Sequence, residues 1–277
     1  MADNVIKQQT KKEGAFEKRV HEVDFVRGLL ILLVLFDHLM NAFGLHSATW
    51  YNDTGIQTFL NIKNAMDWYW TFWGRSLIRI IALLSFCFIS GLSCAFSRNN
   101  WKRAGEMLVL WALLFVGGRI LNEAQFIPGL VTRIDFNVIG VLAWSTLFYC
   151  FIQNQSWKGK LASTLIWALI SSVGLYALNG IPNIQNVYCP PIFNPEILGI
   201  RQADWMPLIP YIVAFFLGAT LTSIIYKDKT PKFKRHEFER PVCYIGRHTL
   251  WIYLGHQAVI IPVFMLADVI VRAMHGK

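Results

Sequence analysis

The sequence has few charged residues for its length of 277. Asp, Glu, Lys and Arg make up 16% of the chain, whereas apolar residues make up 55% and aromatic residues 14%. A soluble domain carries about 25% charged residues, usually mixed with the apolar ones. Here long apolar runs are separated by short polar segments. This pattern excludes an ordinary soluble domain and indicates a chain embedded in a bilayer.

Cysteine and metal-ligand motifs are also scarce. The five cysteines show no CxxC spacing, and the chain has no HExxH pattern. At least three of the cysteines lie in or beside apolar runs, where the side chain behaves as a small apolar group. We therefore expect packed cysteines and no metal site.

Acidic residues are fewer than basic ones, 17 against 26, which leaves a net charge of +9. Such an excess can indicate nucleic-acid binding, but 18 of the 26 Lys and Arg lie in four polar connections: 1–27, 97–103, 153–160 and 227–247. Basic connections mark the cytoplasmic side of membrane proteins and contact anionic lipid heads. The pattern predicts a cytoplasmic N-terminus, membrane lipids as partners and no nucleic acid.

Seven segments are long and apolar enough to be interpreted as membrane spans. They are residues 26–46, 77–96, 105–124, 136–152, 161–178, 209–226 and 245–270. The predicted fold is an all-α, polytopic bundle of about seven transmembrane helices. Its parts are a basic cytoplasmic tail (1–22), a membrane domain (23–271) and a C-terminal tail (272–277). We expect an integral, multi-pass protein, with the bacterial inner membrane as its location.

Two connections on the opposite side are long. Residues 47–76 contain the aromatic cluster DWYWTFW, which suits the headgroup region and predicts an interfacial helix. Residues 179–208 contain five prolines and few charges. Proline at this density predicts an irregular, ordered loop over the outer mouth.

Ionisable side chains in the first span are the first candidates for chemistry. Arg27 and His38 are eleven residues apart, which places them on one helix face about 16 Å apart along the axis. Asp37 lies beside His38 but about 100° round the helix. Each ionisable group at this depth costs about 2.5–3.5 kcal/mol, so these side chains should face a protein interior or a wet cavity.

The last span places His256 at a depth similar to that of His38. Two imidazoles at one level suit a base and an orienting or oxyanion-stabilising group. The alternative is that His256 and Gln257 only bridge helices by hydrogen bonds.

Basic residues at the predicted cytoplasmic rim could contact the phosphates of a nucleotide-like donor. They are Lys102, Arg103, Arg247 and His248, together with Arg27. The alternative explanation is that these basic residues only mark the cytoplasmic side of the membrane. A further set of charges lies near the other ends of the spans, where they either snorkel to water or line a path for an outer substrate. This set is Arg79, Arg119, Glu123, Arg133, Asp135 and Asp204.

Four blocks resemble the catalytic domain of the heparan-alpha-glucosaminide N-acetyltransferase family, a membrane acyltransferase family related to acyltransferase family 3. The block DFVRGLLILLVLFDHLM, with ten residues between arginine and histidine, resembles the family's opening pattern. The blocks FCFISGLSCAFSRNNWKRA, DWMPLIPYIVAFFLGA and IGRHTLWIYLGHQ follow in the family's order. The resemblance covers about residues 20–265. Asp37, where an apolar or aromatic residue is expected, and Thr249 in place of serine are departures.

The resemblance implies transfer of an acyl group, acetyl above all, from acyl-coenzyme A to a hydroxyl or amine of a glycan-like acceptor. Within that scheme His38 is predicted as the general base, with an acyl-imidazole as the less favoured variant. Arg27 would hold the donor or orient its carbonyl, Asp37 would tune the imidazole, and His256 and Asp204 are secondary candidates. The lumenal histidine segment of the lysosomal heparan enzyme is not found, so a heparan acceptor is not assumed.

Two other classes stay open at this point. A proton-coupled transporter or flippase of a small solute or lipid-linked sugar would use Asp37, His38 and His256 as a proton relay. A non-enzymatic scaffold would use the same groups only to fix helix packing. The sequence also leaves the oligomeric state open, including a homo-oligomer.

Overall fold

The computed structural model describes residues 20–97, 99–125, 131–226, 230–234 and 236–275, and all regular structure in these ranges is helical. The helices are α1 (His21–Thr54), α2 (Gln57–Thr71), α3 (Trp73–Phe96), α4 (Asn100–Glu123), α5 (Val138–Ile152), α6 (Trp157–Leu169), α7 (Leu175–Asn179), α8 (Tyr211–Ile225), α9 (Glu239–Arg247) and α10 (Thr249–Met274). A π-helical turn, Ile170–Gly174, joins α6 to α7 without a break. The predicted tail 1–22 lies almost wholly outside the described residues.

Each of the seven predicted spans falls on an apolar helix, which confirms a polytopic helical membrane protein. Five are long and apolar enough to cross a membrane: α1, α3, α4, the continuous α6–α7 and α10. The other two, α5 and α8, have 15 residues each. At 1.5 Å per residue they are about 22 Å long, shorter than the hydrocarbon layer of about 30 Å.

The first and last spans differ from their predicted bounds. Helix α1 continues eight residues beyond 46, because residues 47–54 contain no proline or glycine, and it ends at Gly55 in the left-handed conformation, with φ at 72°. The last span begins at Thr249 rather than 245. The helix is interrupted at His248, and next to it the Thr249 hydroxyl donates to the carbonyl of Gly246 at 2.7 Å.

The described chain forms two compact units. The first contains α1, α2, the start of α3, and α9 with α10; the second contains residues 84–229. In the second unit α3 and α8 meet at their backbones, because a Cβ on Gly91 would lie 1.9 Å from the carbonyl oxygen of Phe215. The core around this contact is aromatic and includes Tyr149 and Phe216.

The predicted irregular loop of the second unit contains only short 3₁₀ turns, Ile184–Asn186 and Pro195–Leu198. Its end is held against the segment before α5 by backbone hydrogen bonds. Ala203 donates to the carbonyl of Arg133 at 2.8 Å, and Met206 donates to that of Phe136 at 3.0 Å. The loop is therefore ordered by pairing with its own unit.

In the first unit α1 runs parallel to α10. Contacting residues of these two helices keep a nearly constant separation of 219–222 positions, from His38 with Gln257 to Asp53 with Arg272. Helices α1 and α9 touch at two glycines. A Cβ on Gly28 would lie 2.1 Å from the carbonyl oxygen of Val242, and one on Gly246 would lie 1.8 Å from that of Asp24. The glycines of the "RG" and "IGR" blocks are thus required by close backbone approach.

A partly buried ion pair joins the first three helices of this unit. Arg75, at the start of α3, donates from Nε and Nη2 to the two carboxylate oxygens of Asp37 on α1, both at 2.9 Å. Tyr69 on α2 donates to the same carboxylate at 2.8 Å, and the ring of Trp70 lies 3.4 Å from the guanidinium carbon. The predicted interfacial segment is therefore helical over Gln57–Thr71. The hydrogen bond from Tyr69 to Asp37 holds it against α1.

Gly28→Ala should destabilise the protein, because the new methyl group meets backbone rather than a movable side chain. Overpacking of this kind costs about 1–3 kcal/mol. The control is Gly255→Ala, since no atom lies within 4 Å of a Cβ at that helical position. We expect a lower thermal unfolding midpoint for Gly28→Ala and an equal or higher one for the control. Equal midpoints for the two variants would contradict the close approach.

Asp37→Ala should also lower the unfolding midpoint, because it leaves Arg75, only 8% exposed, without its carboxylate. Breaking a buried pair on one side costs about 3–5 kcal/mol. The matched control is Asp67→Ala on α2, whose partner Lys63 and whose own side chain are exposed, so its loss should cost less than about 1 kcal/mol. If the two aspartate variants unfold at the same temperature, Asp37 does not stabilise the packing of α1 against α2 and α3.

Candidate active site

The structure brings His38 and His256 together, as their predicted depths require. The two ring centroids are 4.8 Å apart, and the Gln257 amide lies 3.2 Å from Nδ1 of His38. His256 is 8% exposed, and its Nδ1 donates to the carbonyl of Tyr253 on the same helix. Helices α1 and α10 therefore share an imidazole pair at one level.

The hydrogen bonds of this pair differ in kind. A carbonyl oxygen only accepts, so Nδ1 of His256 bears a hydrogen. The Gln257 amide has both a donor and an acceptor end, so it can serve Nδ1 of His38 in either role.

A second imidazole lies eight residues further along α1, a rise of about 12 Å. Nδ1 of His46 is 2.9 Å from both carboxylate oxygens of Asp268 on α10, and the indole nitrogen of Trp50 donates to the same carboxylate. Because an ionised carboxylate only accepts, Nδ1 of His46 is the protonated nitrogen. In the neutral ring Nε2 then has the lone pair, which is the arrangement of a general base oriented by a carboxylate.

Sequence reasoning missed this second site. His46 stood at the end of a predicted span, and Asp268 near the end of another, 222 positions away. The available signal was the eight-residue spacing from His38, which is close to two helical turns. The partner became visible only once α1 and α10 were known to be parallel and in register.

The rim residues of the first unit form a group around Asp24. Arg247 donates from Nε to its carboxylate at 3.1 Å, and Nη1 of Arg27 lies 3.8 Å from it. The His248 ring packs at a tilt against the Tyr244 ring, with the ring centroids 4.7 Å apart. The side chain of Arg27 is 24% exposed.

The other two predicted donor contacts belong to the second unit. Lys102 and Arg103 lie in the first turns of α4, whose first residue is preceded by Asn99 as N-cap. Lys102 is exposed and lies 3.8 Å from Glu106 one turn later. The donor-binding set is therefore divided between the two units along the chain.

Asp37 does not share a hydrogen bond with His38 in this structure. Its carboxylate is occupied by Arg75 and Tyr69, as described for the fold. Its angular offset on α1 directs it to α2 and α3, whereas His38 meets α10. The secondary candidate Asp204 lies in the irregular segment before α8.

An apolar concavity of about 340 Å³ adjoins the imidazole pair. It is lined by Leu35, Ile252, Gly255, His256, Val259 and Ile260. The space lies in the first unit and has a single polar side chain among its walls. In the described part of the chain, no group of three or more His, Cys, Asp or Glu side chains is arranged to hold a metal ion.

The outer end of the second unit carries a dense charged cluster. The Asp135 side chain is fully buried and accepts from Arg119 at 2.9 Å, from Arg133 at 3.0 Å and from Gln202 at 2.9 Å. Burial by itself would raise the pKa of Asp135, but hydrogen bonds from Arg119, Tyr188 and Arg133 lower it below its ordinary value. Asp135 is therefore an ionised anchor for two guanidinium groups.

Comparison with known proteins agrees with the resemblance of the four blocks. A family model described as heparan-alpha-glucosaminide N-acetyltransferase, catalytic, matches residues 19–258. No curated protein and no solved structure matches the chain significantly. The matched range contains Arg27, His38, His46 and His256, and ends before Asp268. Since the match covers most of the chain, this multi-pass membrane protein belongs to the heparan-alpha-glucosaminide N-acetyltransferase catalytic family, a family of transferases.

Proposed function

We propose that the protein transfers an acetyl group from acetyl-coenzyme A, bound from the cytoplasmic side, to a hydroxyl or amine of a glycan-like acceptor reached from the other side. The observation that carries the proposal is the His46–Asp268 pair in a chain of this family. A carboxylate-oriented imidazole is the group that acyl transfer to a weak nucleophile needs. The proposed location is the inner membrane of a bacterium, which suits the multi-pass topology.

In the proposed reaction Nε2 of His46 removes a proton from the acceptor as its oxygen or nitrogen attacks the thioester carbonyl. The carbon–sulfur bond then breaks, and coenzyme A leaves as a thiolate that takes the proton from the imidazolium. Asp268 holds the ring and stabilises the imidazolium while it is charged. The result is one acetylated acceptor and one free coenzyme A.

We propose a different role for His38. Its partner Gln257 is an uncharged amide, whereas His46 has a carboxylate that can stabilise an imidazolium. His38 lies about 12 Å nearer the cytoplasmic end than His46. We therefore propose that His38 and the apolar concavity beside His256 hold the thioester arm of the donor. His38 as the base stays a prediction from the sequence, and the experiment below separates the two assignments.

Arg27 is proposed to hold a phosphate of the donor. It is partly exposed, and Asp24, which lies 3.8 Å from it, is shared with Arg247. Guanidinium groups bind phosphates through paired hydrogen bonds. Lys102 and Arg103 are proposed as further contacts at the cytoplasmic rim.

His46→Ala should reduce acetyl transfer from radiolabelled acetyl-coenzyme A by about 10²–10⁴-fold, the range of a general base. Asp268→Asn should reduce it as well, whereas neither change should alter donor affinity. The measurement is transfer and donor binding by purified, detergent-solubilised protein, with His38→Ala beside them. If His38→Ala alone abolishes transfer and His46→Ala retains it, the base is His38. Absence of any donor binding by the wild type would favour the transporter hypothesis.

Arg27→Ala should raise the KM for acetyl-coenzyme A about tenfold or more, because a charged hydrogen bond to phosphate is lost. The kcat should change much less. Arg240→Ala, at an exposed arginine of α9 that pairs with Glu237, serves as the control. An unchanged donor KM in Arg27→Ala would remove this residue from the donor site.

A further inference from the structure

The two carboxylate oxygens of Asp268 are bound unequally. Nδ1 of His46 lies 2.9 Å from each oxygen, so this contact alone does not distinguish them. The indole N–H of Trp50 donates to Oδ1 only. Among the described residues, Asp268 has no hydrogen-bond or ion-pair partner besides these two. The bond from Trp50 is therefore the contact that selects one rotation of the carboxylate against the imidazole.

The ring of Trp50 is held by residues of three helices. Trp50 follows His46 by one turn of α1, so both side chains reach α10. The indole is 7% exposed, lies nearly parallel to the Phe264 ring with the two planes 9° apart, and packs against Phe59 of α2. Phe264 precedes Asp268 by one turn of α10 and also contacts the His46 ring, with the centroids 5.0 Å apart. The indole N–H is thus a rigid donor.

The carboxylate of Asp268 needs such a donor because it is not enclosed. Its side chain is 22% exposed and that of His46 is 20% exposed. The terminal torsion of an aspartate is broad, and water competes for both oxygens. A carboxylate that turns towards water no longer stabilises the imidazolium that forms when the ring accepts a proton.

Packing of the indole does not by itself require this hydrogen bond. A buried indole N–H usually finds an acceptor, and a merely structural Trp50 would use Asp268 for that purpose alone. In the second unit, however, the buried indole nitrogen of Trp111 has no acceptor among the described residues. The protein therefore accommodates a buried indole without a partner, and the bond at Asp268 is a feature of the candidate site.

The surroundings of Asp268 contain few other charges. The next charged pair on the same two helices is Asp53 with Arg272, which are bound to each other at 3.1 Å one turn beyond Asp268. Helix α2 presents the uncharged Phe59 to Trp50. The carboxylate of Asp268 is thus the direct counter-charge for His46.

We propose that Trp50 is a positioning residue of the acetyl transfer: its N–H holds the Asp268 carboxylate against His46, and it acts through that carboxylate and not on the substrate. The inference rests on the proposed function and adds a residue to its machinery. When Nε2 of His46 takes the acceptor's proton, the positive charge on the ring is balanced at Nδ1 by a carboxylate that Trp50 keeps in place.

The first test is Trp50→Phe, which keeps an aromatic ring beside Phe264 and removes the N–H. Transfer from radiolabelled acetyl-coenzyme A to glucosamine should fall about tenfold in kcat, because a hydrogen bond to a charged group is lost, whereas the KM for the donor should not change. Trp111→Phe is the matched control, since it removes the same atoms from an indole without an acceptor, and it should keep the wild-type kcat. Equal kcat values for the two variants overturn the inference.

A double variant tests whether Trp50 acts through Asp268. In an Asp268→Asn background, Trp50→Phe should cause no further loss of kcat, because the charged acceptor of its hydrogen bond is already absent. A further tenfold loss in that background would show that Trp50 acts elsewhere and would overturn the inference.

The charge state of His46 is measured without turnover, by modification with diethyl pyrocarbonate, which attacks the neutral imidazole. Mass spectrometry of the peptide containing His46 gives the pH at which half of it is modified. This pH should be lower in Trp50→Phe than in wild type, as in Asp268→Asn, because the imidazolium loses part of its counter-charge. Trp111→Phe should keep the wild-type value. An unchanged or higher value in Trp50→Phe overturns the inference.

Failure of the proposed function looks different. Full transfer by both His46→Ala and Asp268→Asn would remove His46 as the base, while the modification experiment would still report whether Trp50 holds Asp268 against it. If Trp50→Phe does not fold, benzothienylalanine incorporated at position 50 keeps the size of the indole and replaces only its N–H by sulfur. The same lower kcat and lower modification pH are expected for that protein, and wild-type values would overturn the inference.

Discussion

The close approach of α1 to α9 at Gly28 and Gly246 is the contact on which the rest of the first unit depends. Where two helices touch at their backbones, neither can slide by one residue without a clash, so the register along their whole length is determined there. Helix α10 follows the break at His248, and it pairs with α1 through His38–Gln257 and His46–Asp268.

Each ionisable group that the first span carries into the membrane meets a partner on another helix. His38 meets Gln257, His46 meets Asp268, and Asp37 meets Arg75. Such partners are needed because an unpaired charge inside a membrane protein is costly. The pairing with Arg75 explains why Asp37 is tolerated at a position where the family resemblance favours an apolar residue. Arg75, which compensates the charge of Asp37, lies in a different helix, so the two residues are far apart in the sequence.

The hydrogen-bond partners also separate the two histidines of α1 by chemistry. A carboxylate lies against Nδ1 of His46, whereas an uncharged amide lies against Nδ1 of His38. The two rings lie on one helix, yet the neighbouring helix gives them partners of different charge. The prediction of His38 as the base follows from the family resemblance and stays a prediction beside the role proposed for His46.

The sequence by itself determined the class of the protein and the positions of its membrane helices, because twenty apolar residues in a row have few alternatives and basic connections define their direction. It also pointed to His38, His256 and Arg27, since ionisable groups inside apolar runs stand out without any structure. Only the tertiary structure decided which of these groups meet. The pairing of His46 with Asp268, of Asp37 with Arg75 and of Arg119 with Asp135 depends on helix register and on loop positions. Both are set by backbone contacts between segments distant in the chain, and no local pattern of residues encodes them.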